Sequence, residues 1–295
     1  MRPHVAAGPL PLVLGARRLD LRTRALVMGV LNRTPDSFYA PAATFALDAL
    51  LRRADLLVAQ GADVLDVGGV KAGPGPEVSA SEELERVVPV VEELHRRFDL
   101  PLSVDTWRAE VAGACYDVGA VVGNDISGFA DPDYLPVAAR AGATVVATHI
   151  RLRPRVADPE PVYADVTATV RDFLAERWHR AEAAGVGAEH VIIDAGLDLG
   201  KTTAHSATLL RESATLAQIG PPLLLSASNK GFLGDLFSLA ITERREASLA
   251  AAAVGILGGC RVLRVHDVLG TVRVRDVLAR VLGEAVEAGA EREVA

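Results

Sequence analysis

Short apolar runs alternate with longer amphipathic segments along most of the chain. The run ALVMGVLN (25–32) is apolar almost throughout, which is typical of a strand buried on both faces. The segment ALDALLRRADLLVAQG (46–61) places apolar residues at helical spacing and ends at a glycine, a common helix stop. A second apolar run, DVLDVGG (63–69), follows directly. The pattern therefore predicts alternating strands and helices.

Eight such strand–helix pairs follow one another. The predicted strands span residues 25–32, 63–69, 100–106, 120–127, 144–150, 190–196, 222–228 and 260–267. The predicted helices span residues 46–61, 81–98, 108–119, 133–142, 163–185, 207–220, 241–259 and about 271–289. Ser79 and Glu82 have the spacing of a capping box before the second helix. The count favours a single (β/α)8 TIM barrel of the α/β class. A doubly wound open sheet is the alternative, although no strand precedes a dinucleotide-type glycine fingerprint.

The residues before the first predicted strand form a separate short segment. Within residues 1–24, the stretch LVLGARRLDLRTR could form a hairpin at the N-terminal mouth of the barrel. No linker or low-complexity tract interrupts the rest of the sequence. We therefore expect an N-terminal extension or hairpin at 1–24 and one barrel domain at 25–295.

Composition and charge narrow the class of protein. Half of the 295 residues are hydrophobic, and the net charge of −7 argues against a nucleic-acid-binding surface. The two cysteines, Cys115 and Cys260, are too few for a disulfide framework and fit a reducing compartment. Prolines and arginines interrupt the N-terminus, which makes it a poor signal peptide, and no apolar run reaches membrane-spanning length. These features predict a soluble cytoplasmic protein with neither nucleic-acid nor membrane partners.

Lysine is rare in this chain. Of 31 basic residues, only Lys71, Lys201 and Lys230 are lysines, so these three are candidates for specific chemistry, with chance survival as the alternative. Lys71 lies in GGVKAGPGP (68–76), where four glycines and two prolines in nine residues predict a loop. Lys201 could equally hold backbone carbonyls at a rim, and we interpret the nearby His205 as a helix-start residue.

Polar residues end every predicted strand, and sites on such barrels lie at the carboxyl ends of the strands. Asp125, Ser228 and Asp66 could instead cap helices or fix loops. A buried Arg264 without a ligand would be a costly charge. Carboxylates, amides and cations together suit a flat heterocycle that carries a phosphate or diphosphate. The strand-end residues are Asn32, Asp66, Asp105, Asn124, Asp125, His149, Asp194, Ser228 followed by Asn229 and Lys230, and then Arg264 with His266.

Two motifs of this chain, NRTPDSF (32–38) and RVHDV (264–268), are specific on their own. With them, the chain resembles dihydropteroate synthase from about residue 25 to the C-terminus. The family joins 6-hydroxymethyl-7,8-dihydropterin diphosphate to 4-aminobenzoate and releases diphosphate, usually with Mg2+, and usually as a homodimer formed through its last helices. The blocks that carry the resemblance are VMGVLNRTPDSF, GADVLDVGG, SVDTWRAEVA, GNDISG, IDAGLDLGKT, SNKGFLG, SLAAAA and RVHDV.

The resemblance implies a pterin-binding set at the base of the site. Asp105, Asn124, Asp194 and Lys230 would hold the pterin, with the aspartates accepting hydrogen bonds from its amino and ring N–H groups. Lys230 would donate to the ring carbonyl or N5. Asp105 would also stabilise positive charge on the methylene carbon if C–O cleavage precedes amine attack. Asp105 and Lys230 are therefore the expected catalytic residues.

The resemblance also implies a diphosphate-binding set. Asn32, Arg264 and His266 would bind the diphosphate and its magnesium, with Asn32 as the expected metal ligand. Arg264 and His266 are two residues apart on one strand and should face the same way. Lys71 is the remaining substrate-binding candidate, because it lies in the loop after the second strand.

The departures from the family pattern fall on that loop and on the amine side of the site. Where the family reads GGESTRPG, this chain reads GGVKAGPG, so the Thr and Arg become Ala72 and Gly73. Lys71 could return part of the lost charge without bidentate geometry. The other departures are YAPAATF after DSF, Asp198 in place of a Gly, Leu199 in place of a Phe, Asn229 in place of an Arg, and Gly231 in place of the Ser that contacts the aminobenzoate carboxylate.

Three hypotheses follow from this combination of matching motifs and departures from the family pattern. The first is an active dihydropteroate synthase. The second is a catalytically weak or inactive paralogue that binds pterins or sulfonamides. The third is an enzyme that uses the pterin pocket with another nucleophile, as in methyltetrahydrofolate methyltransferases, although NRTPDSF and RVHDV favour a diphosphate substrate.

Overall fold

Apolar runs form eight parallel strands, which close into a barrel in the computed structural model. The structure describes residues 10–32 and 40–282. The barrel strands are β3 (Leu26–Asn32), β4 (Val64–Gly68), β5 (Leu102–Asp105), β6 (Val122–Asp125), β7 (Thr144–Thr148), β8 (Val191–Asp194), β9 (Leu223–Leu225) and β10 (Cys260–Val265). Their order around the barrel is β10-β3-β4-β5-β6-β7-β8-β9, which confirms the predicted (β/α)8 fold.

Helices cover the outside of the barrel and follow the predicted order with local differences. The helices are α1 (Ala40–Ala59), α2 (Ala80–Arg97), α3 (Ala109–Asp117), α4 (Tyr134–Ala141), α5 (Val166–Ala183), α6 (Thr203–Arg211), α7 (Ser213–Ala217), α8 (Gly231–Phe237), α9 (Arg245–Leu257) and α10 (Val268–Val281). The predicted helix 207–220 is divided into α6 and α7. The predicted end of the last helix, beyond residue 282, lies outside the described residues, as do residues 33–38 of the NRTPDSF motif.

Two helix starts show the capping chemistry that the sequence indicates. The Ser79 hydroxyl accepts a hydrogen bond from the backbone N–H of Glu82 at 3.2 Å, so Ser79 is the N-cap of α2. Thr202 and His205 form a reciprocal capping box at α6, which accounts for His205 as a helix-start residue. These bonds satisfy backbone donors that an uncapped helix would leave exposed.

A short hairpin lies against the amino-terminal end of the barrel. Its strands are β1 (Leu12–Leu14) and β2 (Arg17–Leu19), which pair antiparallel. Leu12 and Leu14 are buried in a cluster with inward-facing strand residues such as Met28. This packing closes one mouth, so the opposite mouth, where the strands end, remains available for a site.

The strand register brings polar residues together at that opposite mouth. Asn32 pairs with Gly68, Gly68 with Asp105, and Asp105 with Asn124. Residues paired across adjacent strands lie about 5 Å apart, so these ends form one continuous polar edge.

Within the described residues, no helix is long and apolar enough to cross a membrane.

Candidate functional site

A buried carboxylate, Asp66, is the centre of the polar network at the mouth. It accepts hydrogen bonds from the Ser103 hydroxyl at 2.5 Å and from Nε of Arg264 at 2.7 Å. The side-chain amide of Asn124 lies 3.3 Å from the same carboxylate. Asp66 is therefore neither a helix cap nor a loop anchor, because its partners come from three other strands. It orients the residues that surround it.

Arg264 bridges two carboxylates. Its Nη2 donates to Asp105 at 2.6 Å while its Nε donates to Asp66. Burial alone would lower the pKa of Arg264, but the two carboxylates outweigh that cost and raise it. The sequence indicates that a buried Arg264 without a ligand would be a costly charge. In the structure, the carboxylates of Asp66 and Asp105 offset that cost.

Asp105 is poised to change protonation near neutral pH. Burial raises its pKa to about 7, Arg264 opposes this shift, and the negative charges of Asp66 and Glu83 reinforce it. A carboxyl group with this pKa can exchange a proton or present a negative charge at physiological pH.

The other predicted pterin residues are also largely removed from solvent. Asp194 accepts a hydrogen bond from the backbone N–H of Gly196 at 2.8 Å, and burial raises its pKa. Burial lowers the pKa of Lys230, while the negative charges of Asp198 and Asp194 act in the opposite direction. Asn124 is buried within the Asp66 network.

Lys201 holds backbone carbonyls, one of the two roles that the sequence allows. Its ammonium group lies 3.0 Å from the carbonyl oxygen of Leu199 and 3.3 Å from that of His149. Its Nζ is also 2.9 Å from Nδ1 of His149. Burial lowers the pKa of Lys201 to about 7. Lys201 therefore joins the end of β7 to the loop that follows β8.

A cavity of about 540 Å³ opens between the mouth and the loop 68–78. Four predicted site residues line it, namely Asn32, Lys71, Asp105 and Arg264. His266 lies elsewhere, in a second hollow of about 410 Å³, with its Nδ1 3.0 Å from the Ser228 hydroxyl. Asn32 and His266, which the resemblance places together on the diphosphate, therefore border different spaces.

Two arginines from outside the loop 68–78 hold its backbone in place. Nη1 of Arg86, on α2, donates to the carbonyl of Gly69 at 2.8 Å. Arg155, in the segment after β7, donates from its guanidinium to the carbonyls of Lys71 and Pro76. The sequence predicts neither contact. Both arginines also line the cavity.

On the amine side, two departures from the family pattern contact each other. The Asp198 carboxylate accepts a hydrogen bond from the Gly231 N–H at 2.6 Å and from the Phe232 N–H at 3.3 Å. Asp198 has a φ of 66°, a left-handed conformation that glycine adopts more readily. A negative side chain thus caps the start of α8 and raises the local negative charge beside Lys230.

Ser103 is a site residue that the strand-end pattern does not include but that the alternation of side chains along a strand could reveal. Ser103 stands two positions before Asp105 in an apolar strand, so both side chains face the barrel interior. A polar residue at such a position requires a partner. Arg155 carries no comparable pattern in the sequence.

Comparisons with known proteins agree with this geometry. The family described as pterin binding enzyme matches residues 28–266. The inactive dihydropteroate synthase 2 of Mycobacterium leprae is 45% identical over 88% of this chain and 91% of its own length. The dihydropteroate synthase of Escherichia coli is 38% identical over 87% of this chain and 91% of its own length.

A solved structure shows the same architecture. Dihydropteroate synthase of Xanthomonas albilineans in complex with 7,8-dihydropteroate superimposes with a TM-score of 0.80 and 35% identity. The alignment covers 92% of this chain and 98% of that one. With its eight-stranded barrel and polar mouth, this chain belongs to the pterin-binding enzyme family and is a dihydropteroate synthase-like protein.

Proposed function

We propose that this protein binds 6-hydroxymethyl-7,8-dihydropterin diphosphate and condenses it with 4-aminobenzoate only weakly. The observation that carries the proposal is the contrast between an intact buried network and an altered rim. Asn124 and Arg264 contact Asp66, and Arg264 also donates to Asp105. The loop, in contrast, has lost two side chains, at Ala72 and Gly73. The resemblance to the Mycobacterium leprae protein, which is named inactive, supports the same conclusion.

The buried residues account for recognition of the pterin. Asp194 and Asn124 offer acceptors to the amino and ring N–H groups, and Lys230 offers a donor to the ring carbonyl or N5. Asp105 lies at the cavity and would carry negative charge beneath the methylene carbon. In the condensation, the C–O bond to diphosphate breaks, the arylamine nitrogen bonds to that carbon, and the amine loses one proton.

The altered loop accounts for slow condensation. Loss of one guanidinium contact to the diphosphate removes about 1.5–3 kcal/mol of binding, which corresponds to roughly one to two orders of magnitude in rate. Arg264 does not compensate while it is paired with Asp66 and Asp105. We therefore expect turnover to be about 10- to 100-fold slower than in the Escherichia coli relative.

Magnesium would act at Asn32 when the diphosphate is bound. The Asn32 amide oxygen lies 3.4 Å from the space that a Cβ at Gly68 would fill, at the edge of the cavity. Magnesium usually takes one or two protein ligands together with phosphate oxygens and water, so a single amide oxygen fits it. Bound there, the ion would neutralise charge on the leaving group.

A homodimer formed through the last helices is part of the proposal. Val254 and Leu257 on α9, and Val277 and Val281 on α10, are large apolar side chains exposed to solvent. Exposed apolar side chains on two helices that pack together are typical of an association surface. Sedimentation equilibrium should give twice the chain mass, and Val277→Glu should shift the protein to monomer.

We also expect a cytoplasmic location.

An assay with purified protein tests the activity. Protein, pterin diphosphate, Mg2+ and labelled 4-aminobenzoate are combined, with the Escherichia coli enzyme as reference, and diphosphate release is measured. Turnover within threefold of the reference would contradict weak condensation and support the active synthase as second candidate. Calorimetry with diphosphate-free pterin tests binding separately, and no detectable heat would contradict the pterin site itself.

A further inference from the structure

The loop 68–78, which lines the cavity, is hydrogen-bonded to one arginine from another part of the chain. The backbone N–H of Arg155 donates to the carbonyl of Ala72 at 3.0 Å. Its guanidinium donates from Nη1 to the carbonyl of Lys71 at 3.2 Å, and from Nη2 to the carbonyl of Pro76. Three hydrogen bonds therefore join residue 155 to the loop, although the two segments are about eighty residues apart in sequence.

The backbone of Arg155 is in a conformation that arginine rarely adopts. Its φ is 67°, in the left-handed region that favours glycine. Strained positions of this kind are maintained when surrounding contacts over-determine them, and they concentrate at functional sites. The loop contacts supply that restraint and fix the guanidinium at the cavity wall.

The charge of Arg155 is not neutralised by these contacts. Its partners are carbonyl oxygens, and two guanidinium nitrogens donate to them, so three of its five N–H donors remain. Across the described part of the chain, neither Arg155 nor Lys71 forms an ion pair with a carboxylate, whereas Arg86 is paired with Glu82 and Arg264 with two aspartates. Glu77 also borders the cavity, with its side chain exposed.

The two ends of the cavity are therefore lined by different residues. At the barrel mouth lie Asn32, Asp105 and Arg264, and at the loop end lie Lys71 and Arg155. A ligand seated on the buried network with a chain directed outward would bring an anionic group to the second end. Planar guanidinium groups bind phosphate oxygens in pairs, and an ammonium group adds a point charge.

We propose that Arg155, together with Lys71, binds the diphosphate of the substrate from another loop, and that it returns part of the affinity for diphosphate that is lost at position 73. The inference rests on the proposed function, because that function brings a diphosphate to the cavity. It assigns Arg155 to the binding site and not merely to the support of the loop.

The main test compares two ligands that differ only in the diphosphate. Arg155→Ala should weaken binding of pterin diphosphate about 10- to 100-fold, while affinity for diphosphate-free 6-hydroxymethyl-7,8-dihydropterin stays within about twofold. The control is Arg153→Ala, which removes the same charge from the same segment at an exposed position that does not line the cavity. An equal loss for both ligands, or no loss for either, would overturn the proposal.

A rescue variant separates binding from support of the loop. A Cβ at Gly73 would meet nothing within 4 Å, so Gly73→Arg can place a guanidinium on the loop itself. In the Arg155→Ala background, Gly73→Arg should recover at least tenfold of the lost affinity for pterin diphosphate. Failure to recover, with the double variant folded by circular dichroism, would mean that Arg155 only supports the loop.

Inorganic diphosphate keeps this test independent of the pterin. If the wild-type protein binds neither pterin ligand, the proposed function fails, and calorimetry with inorganic diphosphate then decides about Arg155. Binding that is lost in Arg155→Ala and kept in Arg153→Ala would support the anion site. No binding by the wild-type protein would overturn it.

Discussion

The base and the rim of this site are built in different ways. At the base, side chains hold side chains, as in the contacts of Asp66 with Ser103 at 2.5 Å and with Arg264 at 2.7 Å. At the rim, Arg86 and Arg155 hold the loop through carbonyl oxygens. A carbonyl acceptor is present whatever the residue, so the loop can change its side chains and keep its path. The base has no such freedom, because each residue is the partner of another.

The same substitution at two glycines tests whether a change at the base costs more stability than a change at the rim. A Cβ at Gly196, directly after β8, would lie 2.0 Å from the carbonyl oxygen of His149, and φ is 65° there. Gly196→Ala should lower the free energy of unfolding by about 3 kcal/mol or more. Gly73→Ala, in open space, should change it by less than about 1 kcal/mol. Urea denaturation measures both, and equal costs would contradict the comparison.

Removal of one carboxylate at the base should abolish most pterin binding. Asp194→Ala loses charge-assisted hydrogen bonds to ring donors, each contributing about 1.5–3 kcal/mol, so the affinity for diphosphate-free pterin should fall about 100-fold. Calorimetry gives the affinity directly. Asp172→Ala is the matched control, since Asp172 is an exposed aspartate on α5 that pairs with the neighbouring Arg171. Unchanged affinity in Asp194→Ala would mean that the pterin lies elsewhere.

The raised pKa of Asp105 should make binding at the base depend on pH. Under the proposed function, the ionised form of Asp105 accepts hydrogen bonds from the pterin. Because its pKa is about 7, affinity should then rise as pH rises. Between pH 6 and pH 8 the ionised fraction grows roughly tenfold, and binding should strengthen by the same factor. Diphosphate-free pterin is used so that phosphate ionisation does not contribute.

A neutral replacement tests the origin of that slope. Asp105→Asn should bind the pterin more weakly and with an affinity that no longer depends on pH in this range. If the variant kept the wild-type slope, a group other than Asp105 would be titrating. Arg264, which loses one of its two carboxylate partners in this variant, remains paired with Asp66.

The sequence predicts the base better than the rim, for a physical reason. Strand ends on a parallel barrel must meet at one mouth, so the neighbourhood of Asp105 and Asn124 follows from the strand order alone. The pairing of Arg264 with Asp66 depends on side-chain reach across the barrel, which periodicity does not encode. Arg155 reaches the loop only because of the path of an irregular segment. Helix α8 is missed because it begins at a glycine, a weak helix former.

The smallest expected effect concerns the negative charge that the rim has gained at Asp198. Its carboxylate caps α8 and lies near Lys230, where it opposes the fall in the pKa of that lysine. Asp198→Asn keeps a side-chain oxygen as acceptor for the Gly231 N–H but removes the charge. The affinity for the anion 4-aminobenzoate, measured by calorimetry with diphosphate-free pterin and inorganic diphosphate present, should rise about threefold at low salt.

A second carboxylate on the same helix serves as the control for this charge effect. Asp235→Asn removes an equal charge from an exposed position on α8, where the side chain accepts a hydrogen bond from the Thr203 hydroxyl at 2.8 Å. It should leave the affinity for 4-aminobenzoate unchanged, because solvent screens the charge at an exposed position. An equal gain in both variants would show that net charge and not the place of Asp198 is responsible. A gain in neither would mean that the charge of Asp198 does not weaken the binding of 4-aminobenzoate.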